Sequence, residues 1–180
     1  MKAKSITELK PNFNSRFFLD TNIWLYLYFP QNTSIAEHII DNYSKTFDEI
    51  VAKKCMIITD MIQMSEIINL VLRIEYNQYL KINSKISFKD FRDTTEYKNA
   101  LTSAKTITTN IIKNTTLRSG IFSADDLGKI VQKCDQADFN DIYFTHLCLK
   151  EEASIITHDF DFKAISGNLN IFTFNKKYLF

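Results

Sequence analysis

The chain has 180 residues, 45% of them hydrophobic and 13% aromatic, which is enough for one domain with a real core. Three glycines and two prolines exclude a linker, a disordered chain and a turn-rich β-sandwich, and no phosphate-binding loop of the GxGxxG or GxxxxGKS/T kind occurs. With 22 basic and 21 acidic residues the net charge is +1, which gives no global signal for nucleic acid and still allows a local basic groove.

Residues 1–15 read as a polar lead-in without the apolar centre of a secretory signal. Arg16 to Leu19 (RFFL) has the composition of a short buried strand. Ile23 to Phe29 continues in aromatic and aliphatic residues, and its period does not separate helix from strand; Pro30 ends it. From Thr33 to about Lys53, residues Ile35, Ile39, Ile40, Tyr43, Phe47, Ile50 and Val51 recur at helical spacing. Residues 55–59 (CMIIT) predict a second strand. Asp60 and Gln63 then stand as a capping box opening a helix that runs to about Leu80. Its apolar face carries Met64, Ile67, Ile68, Val71 and Ile74, and its polar stripe Gln63, Glu66, Asn69 and Arg73.

Residues 81–116 are rich in Lys, Asn and Thr, with apolar positions spaced for one or two helices. A break is expected from Leu117 to Ala124, around Gly120, and then a short helix from Ser123 or Asp125 to Lys133. Phe139 to Glu152 reads as a helix, SIIT (154–157) as a third strand and IFTF (171–174) as a fourth. Short β-branched strands separated by helices predict an α/β fold, a parallel sheet with helices on both faces. Cys55, Cys134 and Cys148 are an odd number at wide spacing, which suits a reducing cytoplasm better than a disulfide framework. The apolar run 17–29 is broken by Asp20 and falls short of the roughly 20 residues a bilayer needs, so no membrane span is expected.

Carboxylates follow the strands: Asp20 after FFL, Asp60 after CMIIT, Asp159 after SIIT and His158. In an open parallel sheet the carboxyl ends of the strands meet along one edge, so these residues converge. Glu66 lies on the helix after the second strand, and Asp138 and Asp141 share a face at the head of the helix before the third. Such a group repels itself: two unit charges about 4 Å apart cost about 4 kcal/mol at an effective dielectric of about 20. A cation offsets that cost, and oxygen ligands without supporting His or Cys favour Mg²⁺ or Mn²⁺ over Zn²⁺. The chemistry that follows is hydrolysis of a phosphodiester or phosphate ester.

Each acid also has a simpler role. Asp20 and Asp138 fit the N-cap or first turn of a helix, and Asp60 does so with Gln63 to complete the box. Glu66 fits a solvated helix stripe, and Asp161, between Phe160 and Phe162, a solvent-facing position. His146, Cys148 and His158 match no standard zinc spacing.

FFLDTNIW, then MSEII, then DFNDIYFTHLCLKEEASIITHDFDF together resemble the PIN-domain ribonucleases, among them the VapC-like toxins. The resemblance covers about residues 16–175. It implies a three-layer α/β/α fold with a central, mostly parallel sheet, as one domain over 16–180 with a helical insertion at about 81–128. It also implies Mg²⁺- or Mn²⁺-dependent cleavage of RNA in the cytoplasm. Asp20, Glu66, Asp141 and Asp159 match the family's catalytic acids, with Asp20, Asp141 and Asp159 as metal ligands. Asn22 and Thr157 would hold Asp20 or metal-bound waters, and Asp138 and Asp161 are further acidic candidates. Arg73, Arg118 and Lys150 are the cations assigned to RNA phosphates. The resemblance also brings an antitoxin protein and a homodimer into view as partners. The chain is longer than the small toxins. An RNA-processing nuclease and a non-catalytic PIN-like interaction module therefore stand as alternatives. A phospho-aspartyl phosphatase would need an acid where Asn22 stands.

Overall fold

In the computed structural model the described residues are 3–83, 85–118, 123–165 and 167–178; the break expected around Gly120 falls at 119–122, outside them. In chain order the elements are β1 (Lys4–Ser5), β2 (Arg16–Leu19), α1 (Thr21–Tyr28), α2 (Glu37–Ala52), β3 (Met56–Thr59), α3 (Met61–Ile82) and α4 (Phe88–Phe91). They continue with α5 (Thr95–Asn114), β4 (Thr116–Leu117), α6 (Ala124–Val131), α7 (Phe139–Lys150), β5 (Ser154–Ile156), α8 (Phe162–Ile165) and β6 (Ile171–Thr173). The strands form one sheet in the order β1-β6-β5-β2-β3-β4, and every pairing is parallel.

Alternation along the strands sorts their side chains into two cores, because successive residues of a strand point to opposite faces. Phe17, Leu19, Ile57 and Ile156 face one side and pack with Trp24 of α1, Tyr43 and Ile50 of α2, Ile67 and Val71 of α3, and Ile107 and Ile111 of α5. Phe18, Ile58, Ile155 and Ile171 face the other and pack with Ile130 of α6, Phe144 and Leu147 of α7, and Phe162 of α8. The result is the three-layer arrangement expected from the sequence. Phe18 is fully buried with its ring 4.8 Å from that of Phe144, so truncating it to Ala costs about 3–5 kcal/mol.

The stretch that was ambiguous by period, Ile23 to Phe29, is the helix α1. Ile23, Trp24 and Leu25 are all buried in succession, so the helix carries no simple polar and apolar faces. Two short strands left no pattern in the sequence. Within the polar lead-in, Lys4 and Ser5 pair with Phe172 and Thr173 at one margin of the sheet, and Ile6 is buried just after them. At the other margin Ile58 and Thr59 pair with Thr116 and Leu117.

Two helix ends set where the central strands begin. Lys54 after α2 and Glu152 after α7 have φ of 54° and 53°. The next amides, of Cys55 and Ala153, donate to Ile50 and Cys148 carbonyls at 3.1 and 2.9 Å. These left-handed closures satisfy helix carbonyls and turn the chain directly into β3 and β5, which flank β2. Among the described residues no helix is long and apolar enough to cross a membrane.

Candidate active site

The carboxyl ends of β5, β2 and β3 lie side by side, and the site grows from them. Asp20 follows β2 directly. Its amide donates to Ile156 of β5 at 2.9 Å, which fixes the backbone between the strands. Its side chain is the N-cap of α1, with Oδ1 accepting from the Thr21 amide at 2.7 Å. Oδ2 accepts from Asn22 Nδ2 and Thr157 Oγ1, both at 2.6 Å. Cap and site are therefore the same residue, and Asn22 and Thr157 both hold Asp20 as the sequence suggested. Thr157 Oγ1 also accepts from the Asp159 amide at 2.9 Å, so one hydroxyl ties the end of β2 to the turn after β5.

All of these donors to Asp20 are neutral. Asp20 is 6% exposed, and burial pushes its carboxyl up to about 7, with the charges of Glu66 and Asp159 adding to the rise. Asp141, in the first turn of α7, is likewise pushed up to about 7 by burial and then by Asp20, Asp159, Glu66 and Asp138. The Glu66 carboxyl is raised by burial and by Asp138 and Asp60, against which hydrogen bonding to Thr21 and Asn140 favours its charge. The Tyr26 hydroxyl is pushed up to about 12 by burial and by Asp20 and Asp159. Asp20, Glu66, Asp141 and Asp159 thus share one electrostatic neighbourhood. Asp138 borders it, standing at the N-cap position of α7 without a side-chain cap bond. Asp161 is exposed, and its amide donates to Asp159 Oδ1 at 3.1 Å.

Asp60 caps α3, accepting from the Gln63 amide at 3.0 Å and from the Tyr143 hydroxyl. Gln63 does not complete the box and does not belong to a solvated stripe. It is fully buried, donating to the Leu19 carbonyl at 2.7 Å and accepting from Thr59 Oγ1 at 2.8 Å. It clamps the ends of β2 and β3 together just before Asp20 and Asp60.

Two of the three cations assigned to phosphates are engaged elsewhere. Arg118 Nε lies 3.1 Å from Glu151 Oε2, an ion pair by distance without hydrogen-bond alignment, and its Nη2 reaches Met56 at the opposite end of the strands. Lys150 bonds Asp126 at 2.9 Å. Arg73 stays near the acids, in a groove that also takes in Glu66.

Three further residues shape the site. Asn140 Nδ2 donates to Glu66 Oε2 at 2.9 Å; its place between Asp138 and Asp141 was the available signal. The Tyr43 hydroxyl of α2 donates to the Thr157 carbonyl at 3.1 Å, accepts from the Phe174 amide at 2.9 Å and lies 3.0 Å from His158 Nδ1. Nothing in the sequence around Tyr43 separates that role from core packing. Thr21 Oγ1 is buried next to Glu66 without a hydrogen bond of ordinary geometry.

Among the described residues no group of three or more His, Cys, Asp or Glu side chains stands placed to hold a metal ion. The donor chemistry nevertheless fits a hard divalent cation. The acids supply oxygen only, and they raise one another's pKa with no ion pair to a Lys or Arg among the described residues.

No family model and no curated protein matches the chain. Among solved structures, the crystal structure of VapBC2 from Rickettsia felis bound to a DNA fragment from their promoter contains a similar chain. The TM-score is 0.56 at 18% identity, over 88% of this chain and 98% of that one. The fold is PIN-like. At that identity the likeness speaks for the architecture alone. Asp20 and Asp60 directly follow the central strands β2 and β3 of this sheet, and Glu66 and Asp141 reach the same edge from α3 and α7.

Proposed function

We propose that this chain is a Mg²⁺- or Mn²⁺-dependent endoribonuclease, the toxin of a toxin–antitoxin pair, acting in the cytoplasm. The observation that carries the reading is the mutual repulsion of Asp20, Glu66, Asp141 and Asp159, two of them pushed up to about 7, around neutral donors. Strongly perturbed carboxyls gathered at one edge are a mark of function rather than of stability. The toxin role is supported by likeness to a chain of a VapBC2 structure.

In this reading Asp20, Asp141 and Asp159 hold the cation. When bound, it polarises the phosphodiester and lowers the pKa of the attacking water. Glu66, with one oxygen fixed by Asn140, orients that water and takes its proton. Asn22 and Thr157 keep Asp20 in a single rotamer, so its lone pairs are aimed before the cation arrives. Asp138 and Asp161 add negative charge at the rim, which attracts the cation.

Incubating the protein with a pool of structured and single-stranded RNA tests the reading, in Mg²⁺, in Mn²⁺ and in chelator, beside Asp20→Asn. Cleavage that needs metal and disappears in the variant supports it. Cleavage that persists in chelator, or equally in the variant, contradicts it.

A further inference from the structure

A groove of about 530 Å³ runs beside Glu66 along α3, with Ser65, Asn69, Arg73 and Asn140 in its walls. Arg73 follows Glu66 by seven residues, two helical turns or about 10 Å along the axis. Its guanidinium carbon lies 4.6 Å from the centroid of the Phe88 ring on α4, and that of Arg92, just after α4, lies 5.4 Å from the same ring. Phe88 is held in place by Tyr76 edge-on at 5.2 Å and by Phe91 at 6.1 Å, so both cations rest on a fixed base. Both arginines are exposed, and among the described residues neither has an ion pair with a carboxylate.

Two like charges drawn to one ring repel each other, and the attraction of each to the exposed ring offsets only part of that. An anion that meets both guanidiniums offsets the rest. A phosphodiester suits planar guanidiniums, which meet its oxygens two at a time. The neutral amides and hydroxyl between Arg73 and Glu66 suit ribose and base edges.

We propose that Arg73 and Arg92, seated on Phe88, form a phosphate clamp at the far end of the α3 groove. The clamp grips the RNA strand beside the nucleotide that is cut. This deepens the ribonuclease reading and rests on it. Phe88 and Arg92 belong to the 81–128 stretch, so the clamp gives that insertion a substrate-binding role. The competing occupant is an antitoxin segment. Two arginines with no ion pair among the described residues, at the end of a groove whose walls set Ser65, Asn69 and Asn140 among Ile62 and Leu70, favour RNA.

The test is fluorescence anisotropy with a labelled single-stranded RNA of mixed sequence, in EDTA, across a salt series. It compares the parent with Arg73→Gln, Arg92→Gln, the double variant, and Lys45→Gln on α2 as an exposed control. Each arginine variant is expected to weaken binding about 5–10-fold and to lower the salt slope by about 0.7, while the control changes neither. In Mn²⁺ the arginine variants raise KM and leave kcat near the parent's. Parental cleavage with unchanged affinity and KM in both arginine variants overturns the clamp and leaves the nuclease reading standing. A parent that neither binds nor cuts RNA overturns both.

Discussion

At the amino end of the strands Glu151 has Arg118 at 3.1 Å and Arg16 at 3.9 Å, and on the helices beyond, Lys150 meets Asp126 and Lys129 meets Asp125. At the carboxyl end Asp20, Glu66, Asp141 and Asp159 face one another across amides and hydroxyls, with no such cation among the described residues. Both ends are held by hydrogen bonds to backbone and side chains, so the difference lies in charge and not in packing. Surface pairs of the first kind add about 0–1 kcal/mol each to stability. Acids of the second kind subtract from it until a ligand neutralises them. In the proposed reading, the edge that destabilises its own fold is the one that carries the chemistry.

The sharpest way to break this comparison is to neutralise one acid. Asp159→Asn is expected to lower kcat for RNA about 10²–10³-fold, measured by single-turnover cleavage, with the circular dichroism spectrum unchanged. A residual rate near the parent's would place Asp159 with the ordinary surface acids.

A pH series sharpens it next. The Asp20 and Asp141 carboxyls sit near 7 in the folded chain against 3.8 when unperturbed. Between those values the folded chain binds more protons than the unfolded one. This contribution to stability is therefore whole below the unperturbed value and is lost as pH rises through about 7. In EDTA the Tm is expected to be lower at pH 8 than at pH 5, and Mn²⁺ to recover more of it at pH 8. A Tm that climbs with pH in EDTA would contradict the assignment of these two groups.

Asn140→Ala releases Glu66 from its amide and is expected to cost about 10-fold in kcat with little change in KM. The smallest effect belongs to the paired edge. Glu151→Gln is expected to lower stability by less than about 1 kcal/mol in urea unfolding and to leave cleavage untouched.

Much of this was legible in the chain. The four longer strands follow from short apolar runs, with β2 and β3 buried on both faces, and the helices α2 and α3 from helical spacing along a buried face. The two-residue strands β1 and β4 are polar or half-polar and have no room for a period. Asp20, Asp60 and Asp159 could be placed along one edge because strand ends converge in a parallel sheet, whereas Glu66 and Asp141 on their helices were singled out through the family resemblance. Of their supports, Asn22 and Thr157 stand in the motifs themselves, whereas Tyr43 and Gln63 act through pairings across 114 and 44 residues that no local pattern marks. Arg118 and Lys150 show the limit of reading cations from sequence: proximity along the chain does not tell which end of a strand a long side chain reaches.

Isothermal titration of Mn²⁺ into the protein at pH 7.5, beside Asp20→Asn and Asp141→Asn, tests most directly whether the unneutralised edge is a cation site. The account predicts saturable binding by the parent that is lost or weakened at least about 10-fold in each variant, with both variants more stable than the parent in EDTA. Equal Mn²⁺ binding by all three, or none by the parent, would contradict it.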